Sequence, residues 1–385
     1  MKPSIKTILA ALSFSSVLLF SCSKTADNSN PQSPDASVTA LHNYGVLPMQ
    51  PEQWVSVPTF SADIFMGSVR SNGLSYAPTF PGSYLLTSPA VRDQGQIGSC
   101  TGFCGSEAGE ILYYYKSNSP AAATNLTVAN GAATATTTQF SNPSALFGSS
   151  SALSPLFLYY VERCVINKQS ITTDKGAYMV NIPQTLQGLS NNTGSGTPLT
   201  LNGTTFAGNC MENLYPYPSN GSNTSSEYTT PPDATAIANA TNFEIGVQSG
   251  TTGSSGTTNA GYYVINSTNL VADVKTALVN NKPVMMGFNV YDNSRYQYFE
   301  GLNTSSYTYN PLTANGKLIS GVRLLGGHAV PIIGYINDAS QPEGGVFICE
   351  NSWSTGWGYY GYFYLPYSVL SSTTVVPKGS LYVAI

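Results

Sequence analysis

From residue 99 onward the apolar positions keep a helical period. Phe103, Cys104, Ala108, Ile111, Leu112 and Tyr115 fall on one face, and Ser99 stands where an N-cap belongs. A second helix is predicted over 153–166 ("LSPLFLYYVERCVI"), with Ser154 as N-cap and Pro155 at the first helical position. A third fits 270–280, where Leu270, Val274, Ala277 and Leu278 share a face before "NNKP" ends it. Three later runs change character. "VMMGFNVYD" (284–292), "HAVPIIGY" (328–335) and "GVFICENSW" (345–353) are β-branched and aromatic, bounded by Gly, Pro and Asn, and read as strands. Helices come first and strands second without a βαβ alternation, which predicts an α+β fold with an antiparallel sheet or barrel.

Three stretches keep no apolar period: 117–153, 184–208 and 218–262. Ser, Thr, Asn, Gly and Ala dominate them, and they read as loop-like, low-complexity insertions. No internal repeat is visible.

The N-terminus has a pattern of its own. Lys2 and Lys6 precede a fourteen-residue apolar run, 7–20, which is too short to span a bilayer and suits the core of a signal peptide. It ends in Leu19-Phe20-Ser21-Cys22, which resembles a bacterial lipobox. That resemblance implies cleavage before Cys22, a diacylglycerol on its thiol and a lipid-anchored protein of the bacterial cell envelope. The polar segment after Cys22 reads as a tether. The expected layout is therefore a signal peptide over 1–21, a lipidated tether and lead-in over 22–84, and a folded domain over 85–385.

Composition narrows the chemistry. Charged residues make up only 9% of the 385 positions, against roughly 25% in an average globular protein. The net charge is −4 and the basic residues are scattered, so nucleic acid is not an expected partner. Hydroxyl and amide side chains carry the polarity instead, as suits a protein working outside the cytoplasm. No clustering of acidic, His or Cys residues points to a metal, and no cofactor is expected.

Two histidines bound the search for a catalytic base. His42 lies in the tether-like part, a poor place for catalysis, which leaves His328. Cys100 opens the first predicted helix, where unpaired N–H groups and a neighbouring imidazolium would lower a thiol's pKa. On its own it could equally be a buried thiol or half of a disulfide. A catalytic imidazole also needs a group to fix its tautomer, and Asn351 in "ENSW" supplies an amide 23 residues further on.

With these residues assembled, the chain resembles the papain family of cysteine peptidases. "VRDQGQIGSC" is similar to the family's Gln-Gly-x-x-Gly-Ser-Cys, and "GGHAVPIIGY" and "ENSWSTGWGYYGYFYLP" follow in family order. The resemblance covers roughly 85–370 and implies a helical lobe packed on a sheet lobe with a cleft between. By the same resemblance Cys100 is the nucleophile, His328 the base, Asn351 its orienting amide and Gln94 the oxyanion donor. Trp353 shields the His–Asn contact. Gly176, Gly327, Trp353 and Trp357 line the substrate cleft, and the partner is a peptide or protein substrate. Weaker echoes are "LSPLFLY", "DKGAY", "CMENLYPY" and "VKTALVNNKPV".

The chain also departs from the pattern. Cys100 and His328 are 228 residues apart, above the roughly 130–150 usual in such enzymes, and the three low-complexity stretches account for the excess. Thr101 stands in place of the aromatic residue after the nucleophile, Ile97 in place of a disulfide cysteine, and Ser354 in place of a glycine. The segment before Cys100 is shorter than the long inhibitory propeptide of many relatives, so latency by that route is not expected. Cys104 is expected to be buried and reduced, while pairings among Cys104, Cys164, Cys210 and Cys349 stay open. Two alternatives to a peptidase are carried: a cell-surface binding protein on the same scaffold, and a cysteine amidase acting on cell-wall peptides.

Overall fold

The computed structural model describes residues 42–65, 78–140, 152–190, 197–245, 261–292, 299–302 and 307–385, all within one unit spanning 33–385. The signal-type run, Cys22 and most of the tether lie outside the described residues, as do parts of all three low-complexity stretches.

The strand-forming runs assemble into a seven-stranded antiparallel sheet. Its order is Tyr262–Val264, Leu381–Ala384, Val284–Asp292, Arg323–Asn337, Gly345–Glu350 and Tyr362–Pro366, with Ser83–Leu85 added along the end of Arg323–Asn337. Arg323–Asn337 is long enough to serve two neighbours, pairing with Val284–Asp292 over its first part and Gly345–Glu350 over its second. Its register places His328 opposite Phe288. The last predicted strand is shorter than expected: it stops at Glu350, and Asn351 begins the turn that follows.

All three predicted helices form. The longest, Cys100–Asn118, carries glycines where neighbours press closest. A Cβ on Gly102 would lie 2.3 Å from the Pro155 carbonyl oxygen, and one on Gly105 would lie 2.7 Å from Ile182. Glycine inside a helix costs about 0.5–1 kcal/mol relative to alanine; here it lets Pro155–Tyr160 and Asn181–Gln187 pack directly on the nucleophile helix. In the second helix Ser154 accepts a bond from the Phe157 N–H as expected, but only Pro155–Tyr160 is α-helical. Val161–Ile166 continues in wider turns, with the Asn167 N–H reaching back to Glu162. The third helix spans Leu270–Val279.

The low-complexity stretches are not mere loops. Gly131–Thr137, Ser226–Thr229 and Ala234–Ala240 are helical, and Ala132, Ala135, Tyr228, Ile237 and Ala240 are buried. Alanine and threonine give little apolar contrast, so a period written in them escapes a hydrophobicity pattern, although it still buries methyl groups against the sheet and the helical lobe.

Candidate active site

Cys100 is fully buried at the start of its helix. The Ser99 side chain does not cap that helix; its hydroxyl meets the Tyr217 hydroxyl at 2.6 Å, and Tyr217 donates to the Gln94 carbonyl oxygen at 2.8 Å. Tyr217, which the sequence did not single out, thus ties the loop before Cys100 to the loop carrying Gln94.

His328 sits mid-strand and is fully buried. Its Nε2 donates to Asn351 Oδ1 at 2.7 Å, and the same oxygen accepts the Ser352 N–H at 2.8 Å. Among the described residues the His328 Nδ1 has no hydrogen-bond partner. The backbone of Ala329, the next residue, hydrogen-bonds to the Cys100 thiol, as do Gly45 and Thr101. The fold thus sets Cys100 against the strand that carries His328, from positions 228 residues apart. Trp353 lies over the imidazole at 4.9 Å, with Phe288 and Phe299 edge-on at 5.7 and 5.9 Å.

Gln94 is buried between the two halves. Its main-chain N–H donates to the Ser352 carbonyl oxygen at 2.8 Å, and its side-chain oxygen accepts from the Ser352 hydroxyl at 2.7 Å. Its amide nitrogen donates to the Ile97 carbonyl oxygen at 2.9 Å and to that of Asn43 at 3.2 Å.

Asn43 belongs to a segment that crosses the site. His42 stacks on Trp353 at 3.8 Å with the rings 6° from parallel, and Tyr44 packs edge-on against His328 and Trp353 at 6.0 and 5.8 Å. Val46 donates to the Gly327 carbonyl oxygen at 2.9 Å, Leu47 to that of Ala177 at 2.8 Å, and Ala177 donates to that of Gly45 at 2.7 Å. Residues 42–47 therefore lie as an extended strap bonded to both walls. This corrects two expectations. His42 is at the site and not in a remote tether, and a short N-terminal segment does fill the cleft. A strap needs only six residues with a glycine at its closest point, too short a signal for any periodicity to reveal.

The four expected cleft residues divide. Gly327 offers its carbonyl to the strap. Gly176 does not bond the strap: its N–H donates to the Tyr159 hydroxyl and its carbonyl accepts from Gln169. Ala177 makes the bonds, and Gly176 leaves room, since a Cβ there would lie 2.2 Å from the Gly45 oxygen. Trp353 forms a wall of the cleft. Trp357 stands behind it at 5.4 Å and donates its indole N–H to the Phe299 carbonyl oxygen, so it supports the wall without facing the strap.

Burial under the strap sets the electrostatics. It pushes the Cys100 thiol up to about 12, against the lowering effect of three backbone hydrogen bonds. It pushes His328 down to about 4, against the bond to Asn351. With the strap seated, burial favours the neutral form of both groups and so opposes the ion pair that a nucleophilic thiolate requires. Among the described residues Cys100, Cys104, Cys164, Cys210 and Cys349 are free thiols, and no group of three or more His, Cys, Asp or Glu side chains is gathered as a metal would need.

Residues 202–375 match the family described as papain family cysteine protease. The fold resembles the crystal structure of xylellain, a cysteine protease from Xylella fastidiosa, with a TM-score of 0.55 at 19% identity over 90% of this chain and 98% of that one. Over residues 202–375 the chain matches the papain family of cysteine peptidases. Among curated relatives, Cathepsin B-like cysteine proteinase 5 of Caenorhabditis elegans is 34% identical over 93 residues, 24% of this chain. An uncharacterized peptidase C1-like protein of Acanthamoeba polyphaga mimivirus is 31% identical over 101 residues, 26% of this chain. The matches span only 22% and 28% of those relatives' own length.

The chain also buries several ionisable groups near the site. Arg92, two residues before Gln94, pairs with Glu110 at 3.2 Å and Glu212 at 3.7 Å. Glu107, Glu110 and Glu350 are all buried; Glu350 directly precedes Asn351, and burial raises all three carboxyls. None was singled out in the sequence, because a carboxylate ordinarily faces water.

Proposed function

We propose that the protein is a cysteine peptidase hydrolysing peptide bonds through a Cys100 acyl-enzyme, held latent while residues 42–47 occupy the cleft. The observation that carries this reading is the His328–Asn351 bond of 2.7 Å. It assigns the proton to Nε2 and leaves Nδ1 as the acceptor beside the residue whose backbone bonds the thiol. With the strap displaced, solvent lowers the cost of charge, and the Cys100 proton passes to His328 Nδ1. The thiolate attacks the substrate carbonyl carbon, while the Gln94 side-chain amide and the Cys100 N–H hold the oxyanion. Imidazolium Nδ1–H then protonates the departing amine. Finally His328 deprotonates a water that attacks the thioester, releasing the carboxylic acid and restoring the thiol. Gln94 can serve only once Asn43 has left its amide.

The same reading includes a lipid anchor at Cys22 and a cell-envelope location, supported by the lipobox-like Leu19-Phe20-Ser21-Cys22. A non-catalytic binding protein on this scaffold is the second reading, favoured by the filled cleft. The test is covalent labelling by a peptidyl epoxide under reducing conditions, with wild type and Cys100→Ala. Labelling of Cys100 together with thiol-dependent cleavage in a peptide library is expected. An unlabelled Cys100 and no cleavage, even after the strap is displaced, would leave the binding reading in place.

A further inference from the structure

The strap acts as a ligand supplied by the chain itself, and the site takes one of its side chains in a specific way. Tyr44 enters a slot edged by His328 and Trp353, packing edge-on against both, and its hydroxyl donates to Glu300 Oε1 at 2.7 Å. Burial and the adjoining carboxylate hold the Tyr44 hydroxyl well above its ordinary pKa, so it remains the donor. The slot is built, not incidental. Gly326 opens it, since a Cβ there would lie 2.5 Å from the Tyr44 Cβ. Asp292 accepts the main-chain N–H groups of Phe299 and Glu300, both at 2.9 Å, and Trp357 clamps the Phe299 carbonyl. Glu300 is thereby fixed at the far end of the slot, only 7% exposed.

The slot's place follows from the chemistry. Gly45 lies at the thiol, and Tyr44 is next to it on the side of the imidazole ring and Trp353. The departing amine takes its proton from His328, so its residue must lie under that ring, where Tyr44 now sits. We propose that Glu300 is the specificity-determining residue on the leaving-group side of the scissile bond. It selects a substrate side chain about as long as tyrosine that ends in a hydrogen-bond donor or a cation: tyrosine, lysine or arginine. This rests on the peptidase reading above. A buried carboxylate left without such a donor loses a charged hydrogen bond, which is why phenylalanine, leucine and glutamate are rejected.

The experiment uses the full-length chain carrying Gly45→Ala to unseat the strap, since a Cβ there would lie 1.7 Å from the Gly98 carbonyl oxygen, together with Tyr44→Ala, which empties the slot of its own occupant. kcat/KM is measured on peptides that differ only in the residue following the scissile bond. Tyrosine, lysine and arginine are expected to exceed phenylalanine and leucine by about 10- to 100-fold, the range for one hydrogen bond to a charged group. Adding Glu300→Gln, nearly the same shape, removes the preference for lysine and arginine but keeps tyrosine above phenylalanine, because an amide oxygen still accepts. Adding Glu300→Ala removes both preferences. Cleavage with a tyrosine-to-phenylalanine ratio near one, or a ratio that survives Glu300→Ala, overturns this proposal and leaves the peptidase reading standing. Absence of thiol-dependent cleavage at every position overturns the peptidase reading, and this one with it.

Discussion

Gly45 and Gly98 meet so closely that a single methyl group would separate them: a Cβ built on Gly45 lies 1.7 Å from the Gly98 carbonyl oxygen. The strap therefore reaches the nucleophile only because Gly45 lacks a side chain. Gly45→Ala should unseat it while leaving every group of the site in place. The rate of Cys100 alkylation by iodoacetamide should rise by at least about tenfold, since roughly 1.4 kcal/mol of clash already shifts the open fraction by that factor. The pH profile should change as well. With the strap seated burial raises the thiol, so alkylation should need alkali; in Gly45→Ala it should already proceed at pH 6–7. An unchanged rate and profile would show that the strap does not shield Cys100.

Asn351 touches His328 and not the strap. Asn351→Ala should accordingly lower kcat more than it raises KM, because the imidazole loses its orienting acceptor and the substrate loses nothing. Gln94→Ala should also act on kcat, by roughly 10- to 1000-fold as for one oxyanion donor. It additionally removes the bond to Asn43, so its strap should loosen. Steady-state kinetics together with the iodoacetamide rate separates the two effects. A KM effect alone in Asn351→Ala would remove it from proton transfer.

Three buried carboxyls make stability depend on pH with a definite sign. Burial lifts Glu110 to about 7, against the pull of Arg92, and lifts Glu107 and Glu350 in the same direction. A carboxyl whose folded pKa is raised binds its proton more tightly when folded. Its contribution is complete below about pH 4.5 and is lost as pH rises through the folded value. Above about pH 6.5, where the opposite contribution of His328 has ended, thermal midpoints should therefore fall towards pH 8, and Glu350→Gln should flatten that fall. The mutant keeps the shape and cannot ionise. A midpoint that rises steadily from about pH 6.5 to 8 in the wild type would contradict the assignment.

Cys22 lies outside the described residues, and its role is a matter for the cell. Cys22→Ser should prevent lipidation and release the protein from the membrane fraction, because the acylated thiol is the proposed anchor. Fractionation, with mass spectrometry of the mature N-terminus, checks it. An unmodified wild-type N-terminus, or a mutant that stays with membranes, would refute the anchor.

Much of this was legible in the residues themselves. The nucleophile helix declared itself because one face must be apolar to pack, and the sheet because β-branched and aromatic runs are bounded by residues that stop strands. Cys100, His328 and Asn351 could be matched because each chemical task admits few side chains and the chain holds only two histidines. The helices within the low-complexity stretches were hidden, since alanine and threonine bury without leaving a contrast to read. Tertiary structure alone decided that Ala177 and not Gly176 bonds the strap, that Trp357 stands behind the wall, and that Glu107, Glu110 and Glu350 face inward. It also decided the state of the site. Residues 42–47 lie far along the chain from both His328 and Gln94, and their fit depends on backbone groups that every residue shares. A sequence names side chains; which carbonyl meets which N–H across a cleft, and how burial then shifts a thiol and an imidazole, is fixed only when the walls come together.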